Sequence, residues 1–144
     1  TVGCILIGMI IAHQVTGPPI DPMSEGRNHH AHRHGKIEVD PNNAPGVSVR
    51  VVKDALSGWN VYLTPRNFRF APEKVNQANT ANEGHAHLYL NGKKLTRLYG
   101  TSFHIDNMKP GRNVVTVTLN ANDHSDLLLA GKPITAEAIV VNSN

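Results

Sequence analysis

The chain has 144 residues, of which 14 are Lys or Arg and 11 are Asp or Glu, so its formal net charge at pH 7 is +3. This length suits one folded domain plus a tail, because single hydrophobic cores commonly form at roughly 100 to 150 residues. The basic residues are scattered among acidic residues and prolines, which argues against nucleic acid as a partner. The single cysteine, Cys4, excludes a disulfide framework.

The first segment, residues 1–15, reads TVGCILIGMIIAHQV and is apolar and uncharged from Val2 to Ala12. At about 1.5 Å per residue, a helix of this run would cover only about half of a bilayer core of about 30 Å. We interpret it as part of a longer transmembrane helix that anchors the protein. Lipid attachment at Cys4 is the alternative, and it is disfavoured because the apolar run follows the cysteine instead of preceding it.

The second segment, residues 16–45, is rich in Pro, Gly, Asn and Asp and shows no sustained apolar periodicity, so it is predicted to be a linker. It contains NHHAHRHG, here called the histidine tract, whose imidazoles could bind divalent metals: His29, His30, His32 and His34. The alternative is a solvated linker whose metal affinity is incidental. That alternative is slightly favoured, because an unstructured tract must become ordered on binding.

The third segment, residues 46–144, is predicted to be a β-domain. Short runs such as VSVRVV and WNVYL alternate between apolar and polar residues and are separated by turn residues. HAHLYL and KLTRLYG flank Asn91-Gly92, a dipeptide that favours a type I′ hairpin turn. Because no stretch of ten or more residues shows helical periodicity, we expect an all-β fold of the sandwich type.

Strand alternation places His85 and His87 on the same face of one strand, because successive side chains point to opposite faces. The aliphatic Ala86 and Leu88 are expected to face the core, so both imidazoles are expected to point away from it. A His-x-His pair offers two nitrogen ligands, and imidazole suits Cu, Zn and Ni. The alternative is a pair of ordinary polar residues on the surface of a sheet.

Two further histidines are candidates for a third ligand. In SFHID, alternation directs His104 outward, and His124 lies in the polar turn that follows VTVTLN. Asp123-His124-Ser125 has the letters of a catalytic triad, but adjacent residues cannot adopt the relay geometry. Since no Gly-rich phosphate loop and no Gly-x-Ser-x-Gly elbow occurs either, we expect that the protein is not an enzyme.

Four segments together resemble a family of small exported bacterial domains with an immunoglobulin-like or cupredoxin-like sandwich. They read NFRFAPE (residues 67–73), GHAHLYLNGKKLTRLYG (84–100), FHI (103–105) and VTVTLNANDHSD (115–126), and the resemblance covers about residues 47–141. It implies an extracytoplasmic location and a link with copper handling. The family's histidine positions fall on His85, His87, His104 and His124. The domain lacks the cysteine of true cupredoxins, which argues against a blue-copper electron-transfer centre.

Two functions of different classes are expected. In the first, the protein is a membrane-anchored, extracytoplasmic copper-binding domain without enzymatic activity, and zinc is the alternative metal. In the second, it is a purely structural β-sandwich subunit of a membrane enzyme assembly, such as a copper membrane monooxygenase, and holds no metal of its own. The expected partners are the membrane and other protein subunits of a membrane complex.

Overall fold

The computed structural model describes residues 35–143, and the regular structure in that range is almost entirely β-strand. The two helices described there are single 3-10 turns, Pro41–Asn43 and Pro72–Lys74. The strands are β1 (Lys36–Glu38), β2 (Gly46–Lys53), β3 (Trp59–Arg66), β4 (Arg69–Phe70), β5 (Glu83–Leu90), β6 (Lys93–Leu98), β7 (Ser102–Ile105), β8 (Gly111–Asn120), β9 (Asp126–Leu129), β10 (Lys132–Pro133) and β11 (Thr135–Asn142). The prediction of an all-β fold is confirmed.

The described strands form two hydrogen-bonded sheets. The larger sheet has the order β1-β9-β8-β5-β4, and β10 joins it at β9, β11 at β8 and β6 at β5. The smaller sheet has the order β2-β3-β7. Buried side chains from both sheets pack in one hydrophobic core. Within the larger sheet, β5 pairs with β4 at its first two residues and with β6 and β8 along the rest of its length.

Strand alternation determines which side chains enter the core. The side chains that face the hydrophobic core recur at every second residue of three strands: Trp59, Val61 and Leu63 on β3, Ala86 and Leu88 on β5, and Val115, Val117 and Leu119 on β8. Burial of one such valine or leucine side chain contributes about 1.5–3 kcal/mol. The side chains between them on β5 and β8 lie on the opposite face of the larger sheet, and that face carries the histidines.

β5 and β6 form the predicted hairpin. Leu90 pairs with Lys93, so the loop consists of Asn91 and Gly92 alone. The φ angles of Asn91 (50°) and Gly92 (81°) are both positive, as a type I′ turn requires. A Cβ added at Gly92 would meet nothing within 4 Å, so the glycine is needed for its backbone conformation and not for space.

A β-bulge lies two pairs beyond this turn. Tyr89 pairs with Lys94, whereas Leu88 pairs with Thr96, which leaves Leu95 without a cross-strand partner. An extra residue shifts all later pairs by one position and so exchanges the two faces of that strand. The bulge therefore determines which side chains of β6 lie beside the histidines.

Part of the predicted linker belongs to the larger sheet. β1 runs parallel to β9 with Lys36 opposite Asp126, and the Asp126 amide donates to the Gly35 carbonyl at 2.8 Å. A Cβ added at Gly35 would lie 2.5 Å from Ser125 Oγ, so a glycine allows this close approach. Residues 35–45 therefore contribute to the folded unit.

The predicted membrane anchor, residues 1–15, lies outside the described residues. The same holds for residues 16–34 of the predicted linker. Between residues 35 and 143, no helix is both long and apolar enough to cross a membrane.

Candidate metal centre

β5 places His85 and His87 side by side on the face opposite the core. Their partners on β8 are Asn120 and Thr118, respectively. The Nε2 atoms of the two histidines lie 3.0 Å apart, and their ring centroids are 4.9 Å apart. Ala86, between them in the chain, packs in the hydrophobic core on the other face, as the alternation predicted.

The burial of this pair differs from the sequence-based expectation. An outward-facing pair at a sheet surface would be exposed to solvent, whereas the exposed fraction of His85 is 0% and that of His87 is 1%. Tyr99 lies over His85 with ring centroids 5.4 Å apart, and Tyr89 lies 6.4 Å from His87. The two imidazoles therefore point away from the hydrophobic core but form part of a buried polar site.

His124 reaches the pair from the tight turn between β8 and β9. The Ala121 amide donates to the Ser125 carbonyl at 2.9 Å, and the His124 amide donates to the Ala121 carbonyl at 3.0 Å. Asn120 Nδ2 donates to the His124 carbonyl at 3.3 Å. His124 has a φ of 73°, a conformation that is uncommon for residues other than glycine. This turn directs the imidazole back to β5, where Nδ1 lies 3.1 Å from His85 Nε2.

The three imidazoles form one group, here called the histidine cluster: His85, His87 and His124. One ring nitrogen of each lies within 4.8 Å of those of the others. With metal–nitrogen bonds of about 2.0–2.1 Å, two nitrogens on one tetrahedral metal are about 3.3 Å apart. The separations of 3.0 and 3.1 Å from His85 Nε2 are close to that value. The cluster could therefore hold a metal ion, although the donor atoms alone do not identify the metal.

The two carboxylates nearest to His124 in the sequence accept hydrogen bonds from groups outside the histidine cluster. Asp126 Oδ1 accepts from Asn120 Nδ2 at 2.8 Å, and Asp123 Oδ1 accepts from the Ser125 amide at 2.9 Å. Burial acts to raise the pKa of Asp123, but hydrogen bonds from Ser125 and Asn79 outweigh it and leave this pKa below its ordinary value. Among the described residues, the candidate ligands are therefore imidazoles only, which are uncharged when they bind a metal.

His104 lies in the smaller sheet and is not a member of the histidine cluster. It is on β7, opposite Asn60 of β3. Its Nδ1 lies 2.8 Å from Asn60 Oδ1, and its Nε2 lies 3.5 Å from Asp106 Oδ1. The His104 side chain is 38% exposed. Of the two candidates for a third ligand, the structure brings His124 to the pair on β5 and places His104 on another sheet.

The histidine tract, with His29, His30, His32 and His34, lies outside the described residues, so its metal binding stays a prediction. The first described residue after the tract is Gly35, whose carbonyl accepts from the amide of Asp126, the residue that follows the turn carrying His124.

Two residues of the site were not singled out from the sequence. Asn76 Oδ1 lies 2.6 Å from His124 Nε2, and Tyr99 lies against His85. Nothing in the sequence indicates Asn76, because it belongs to a polar loop and contacts a residue 48 positions further along the chain. Tyr99 follows β6, a hairpin strand whose alternation can be recognised in the sequence. The bulge at Leu95, however, shifts the register of β6.

Comparisons of this chain with protein-family models, with curated proteins and with solved structures found no match. The resemblance to exported bacterial domains therefore stays a prediction.

Proposed function

We propose that this protein is a non-enzymatic copper-binding domain that holds the metal at His85, His87 and His124. The observation that carries the proposal is the convergence of three imidazole nitrogens within 4.8 Å of one another. Two of these imidazoles stand on a paired strand inside a sheet, so much of the ligand geometry is set before the metal arrives.

The chemistry of the donors supports copper or zinc. Imidazole suits both metals, and divalent copper binds nitrogen sites more tightly than zinc does. Copper is further supported by the resemblance of residues 84–100 and 115–126 to the exported family. The described residues contain no cysteine, so a blue-copper centre is not part of the proposal.

The surroundings of His124 support a binding role over catalysis. Its ring lies against Asn76 and His85, whereas Asp123 accepts from the Ser125 amide. Asp123-His124-Ser125 is therefore not arranged as a proton relay. The cluster would hold or pass on a metal instead of activating a nucleophile.

The proposal includes a location and a fold type. Two packed sheets support an immunoglobulin-like or cupredoxin-like sandwich, and the apolar run in residues 1–15 supports a membrane anchor with the domain in the periplasm or another extracytoplasmic space. In this setting the protein would be an accessory subunit of a membrane complex.

Metal titration of the full chain tests the binding function. We expect one tight Cu(II) site, and we expect the His85→Ala/His87→Ala variant to bind at least about a hundredfold more weakly, because two of three ligands are lost. His104→Ala is the matched control and should bind like the parent chain. A chain in which the four tract histidines are replaced by Gln should also retain the tight site.

Two outcomes would contradict the proposal. Unchanged affinity in the double variant would mean that the histidine cluster is not the site. Loss of tight binding on replacement of the tract alone would place the site in the linker.

The second candidate is a structural subunit without a metal. It is favoured by the exposed apolar side chains on β11, where Ile139 is 61% and Val141 is 69% exposed. In the described residues β11 pairs only with β8, so it can lie at an interface with another subunit. For such a subunit, the His85→Ala/His87→Ala variant would still assemble with its partner and support the activity of the complex.

A further inference from the structure

The loop between the second 3-10 turn and β5, residues 75–82, is attached to the turn that carries His124. The Asn76 amide donates to the Asn122 carbonyl at 2.8 Å, and Asn122 Nδ2 donates to the Ala78 carbonyl at 3.3 Å. The Asp123 amide donates to Asn79 Oδ1 at 3.0 Å. Loop and turn are therefore joined by three hydrogen bonds that do not involve the imidazole.

A fourth contact between the same two segments involves the imidazole directly. Asn76 Oδ1 lies 2.6 Å from His124 Nε2. An amide oxygen can only accept a hydrogen bond, so the proton of the neutral ring lies on Nε2. Nδ1 then carries the lone pair, and Nδ1 is the nitrogen that lies 3.1 Å from His85 Nε2.

The backbone at both residues is held in an unusual conformation. Asn76 has a φ of 59° and His124 a φ of 73°. Left-handed conformations cost a non-glycine residue free energy and persist where the surroundings fix them. Here the hydrogen bonds between loop and turn hold both residues in these conformations. The conformations bring the side-chain amide oxygen of Asn76 close to Nε2 of His124.

The β5 histidines differ from His124 in the nitrogen that they direct at the centre. His85 and His87 approach each other through Nε2, whereas His124 approaches His85 through Nδ1. A metal held by all three would have two Nε2 ligands and one Nδ1 ligand. The second nitrogen of a metal-binding histidine commonly donates to an oxygen, which fixes the tautomer and the ring orientation.

We propose that Asn76 is a positioning residue which holds His124 in the Nε2-protonated tautomer, so that His124 binds the metal through Nδ1. This inference rests on the proposed function for the metal itself. The tautomer of His124, however, is a property of the metal-free chain.

The experiment compares three variants of the full chain. Asn76→Gly removes the side-chain amide and causes no backbone strain, because glycine tolerates a positive φ. Asn76→Asp keeps an accepting oxygen at the same place. Asn79→Ala removes one hydrogen bond between loop and turn without touching His124, and it is the control for a merely structural effect. The readouts are the nitrogen chemical shifts of the His124 ring by NMR and the affinity for Zn(II) alone, which is diamagnetic.

In the parent chain, His124 should be protonated on Nε2, and Zn(II) should shift the Nδ1 resonance. Asn76→Gly should mix the two tautomers and lower the Zn(II) affinity about 10- to 100-fold, the usual effect of losing such a partner. Asn76→Asp should restore the tautomer and most of the affinity. Asn79→Ala should leave the tautomer unchanged and the affinity within about threefold of the parent value.

Three results would overturn the inference. The first is coordination of Zn(II) by His124 Nε2, and the second is an unchanged tautomer in Asn76→Gly. The third is an equal loss of affinity in Asn76→Gly and Asn79→Ala, which would show that the loop acts only through stability. If the parent chain binds no Zn(II) or Cu(II), the proposed function fails, and the tautomer measurement on the metal-free chain still decides the role of Asn76.

Discussion

The structure contains two pairs of an asparagine and a histidine that are alike in chemistry but differ in surroundings. On β7, His104 Nδ1 lies 2.8 Å from Asn60 Oδ1, and in the turn after β8, His124 Nε2 lies 2.6 Å from Asn76 Oδ1. In both pairs the side-chain amide oxygen of the asparagine lies within hydrogen-bond distance of one ring nitrogen of the histidine. The difference lies in what the other nitrogen faces.

The other nitrogen of His104 faces a single exposed carboxylate, whereas that of His124 faces a buried imidazole. His104 Nε2 lies 3.5 Å from Asp106 Oδ1, and the Asp106 side chain is 87% exposed. His124 Nδ1 lies 3.1 Å from His85 Nε2, which in turn lies 3.0 Å from His87 Nε2. A carboxylate beside an exposed imidazole contributes little, whereas three converging imidazole nitrogens could hold a metal ion. A candidate ligand is therefore identified by the groups that surround it in space and not by its own sequence context.

The largest expected effect is proton competition at the histidine cluster. Imidazole binds a metal only when neutral, so protons compete with Cu(II) at each ligand nitrogen as the pH falls. Where all the ligands are protonated, three imidazoles lose about a thousandfold in Cu(II) affinity for each pH unit, and two lose about a hundredfold. His104→Ala should therefore show the same steep pH dependence as the parent chain, whereas His124→Ala should show the shallower one, because two imidazoles remain.

Affinities measured from pH 5.5 to 8 would check this prediction. A shallower pH dependence in His104→Ala would place His104 among the ligands and would remove the distinction between the two pairs. An identical dependence in the parent chain and in His124→Ala would exclude His124.

A smaller effect is expected at the hairpin turn, where a loss of fold stability can be distinguished from a loss of metal binding. Gly92→Ala places a side chain at a φ of 81°, which should lower the free energy of unfolding by about 1 kcal/mol. Gly100→Ala is the control, because Gly100 has no positive φ and a Cβ there meets nothing within 4 Å. Urea denaturation would measure both changes.

The Gly92→Ala variant should bind Cu(II) like the parent chain, because the pairing of β5 with β8 holds His85 and His87 in place. Equal losses of stability and metal affinity would instead mean that the turn positions the ligands.

The smallest expected effect concerns Glu83, which begins the histidine-bearing strand. Lys74, at 2.6 Å, and then Arg69, at 3.0 Å, hold the pKa of Glu83 below its ordinary value. A depressed pKa stabilises the fold above the unfolded-state pKa of about 4.3, and that contribution is lost as the pH falls through the folded-state pKa. Glu83→Gln should therefore melt at a slightly lower temperature than the parent at pH 7.

At pH 3 the difference between the two melting temperatures should be smaller than at pH 7. Thermal melts at both values would check this, and a difference that grows on acidification would contradict the assignment. Glu83 is on β5 of the larger sheet, whereas His104 and Asn60 pair with each other in the smaller sheet, so Glu83→Gln should not alter the contact between His104 and Asn60.

The sequence by itself determined the features that depend on neighbouring residues in the chain. Alternation predicted the all-β fold, the burial of Ala86 and Leu88, and the shared face of His85 and His87, because side chains one pleat apart must point the same way. Asn91-Gly92 predicted the two-residue turn, because few residues adopt two successive positive φ angles. These are local constraints, and they can be read without knowing the sheet order.

Only the tertiary structure decided which histidine completes the cluster and what surrounds it. His85 and His124 are 39 residues apart, and they meet because β5 pairs with β8 and the turn after β8 folds back. The burial of the pair and the contact with Asn76 depend on the packing of a loop and on a bulge at Leu95, for which the sequence carries no local signal. Such contacts arise from pairing register and from loop–turn hydrogen bonds between distant segments. Because a shift of one residue in register exchanges the faces of a strand, periodicity within a single strand cannot determine them.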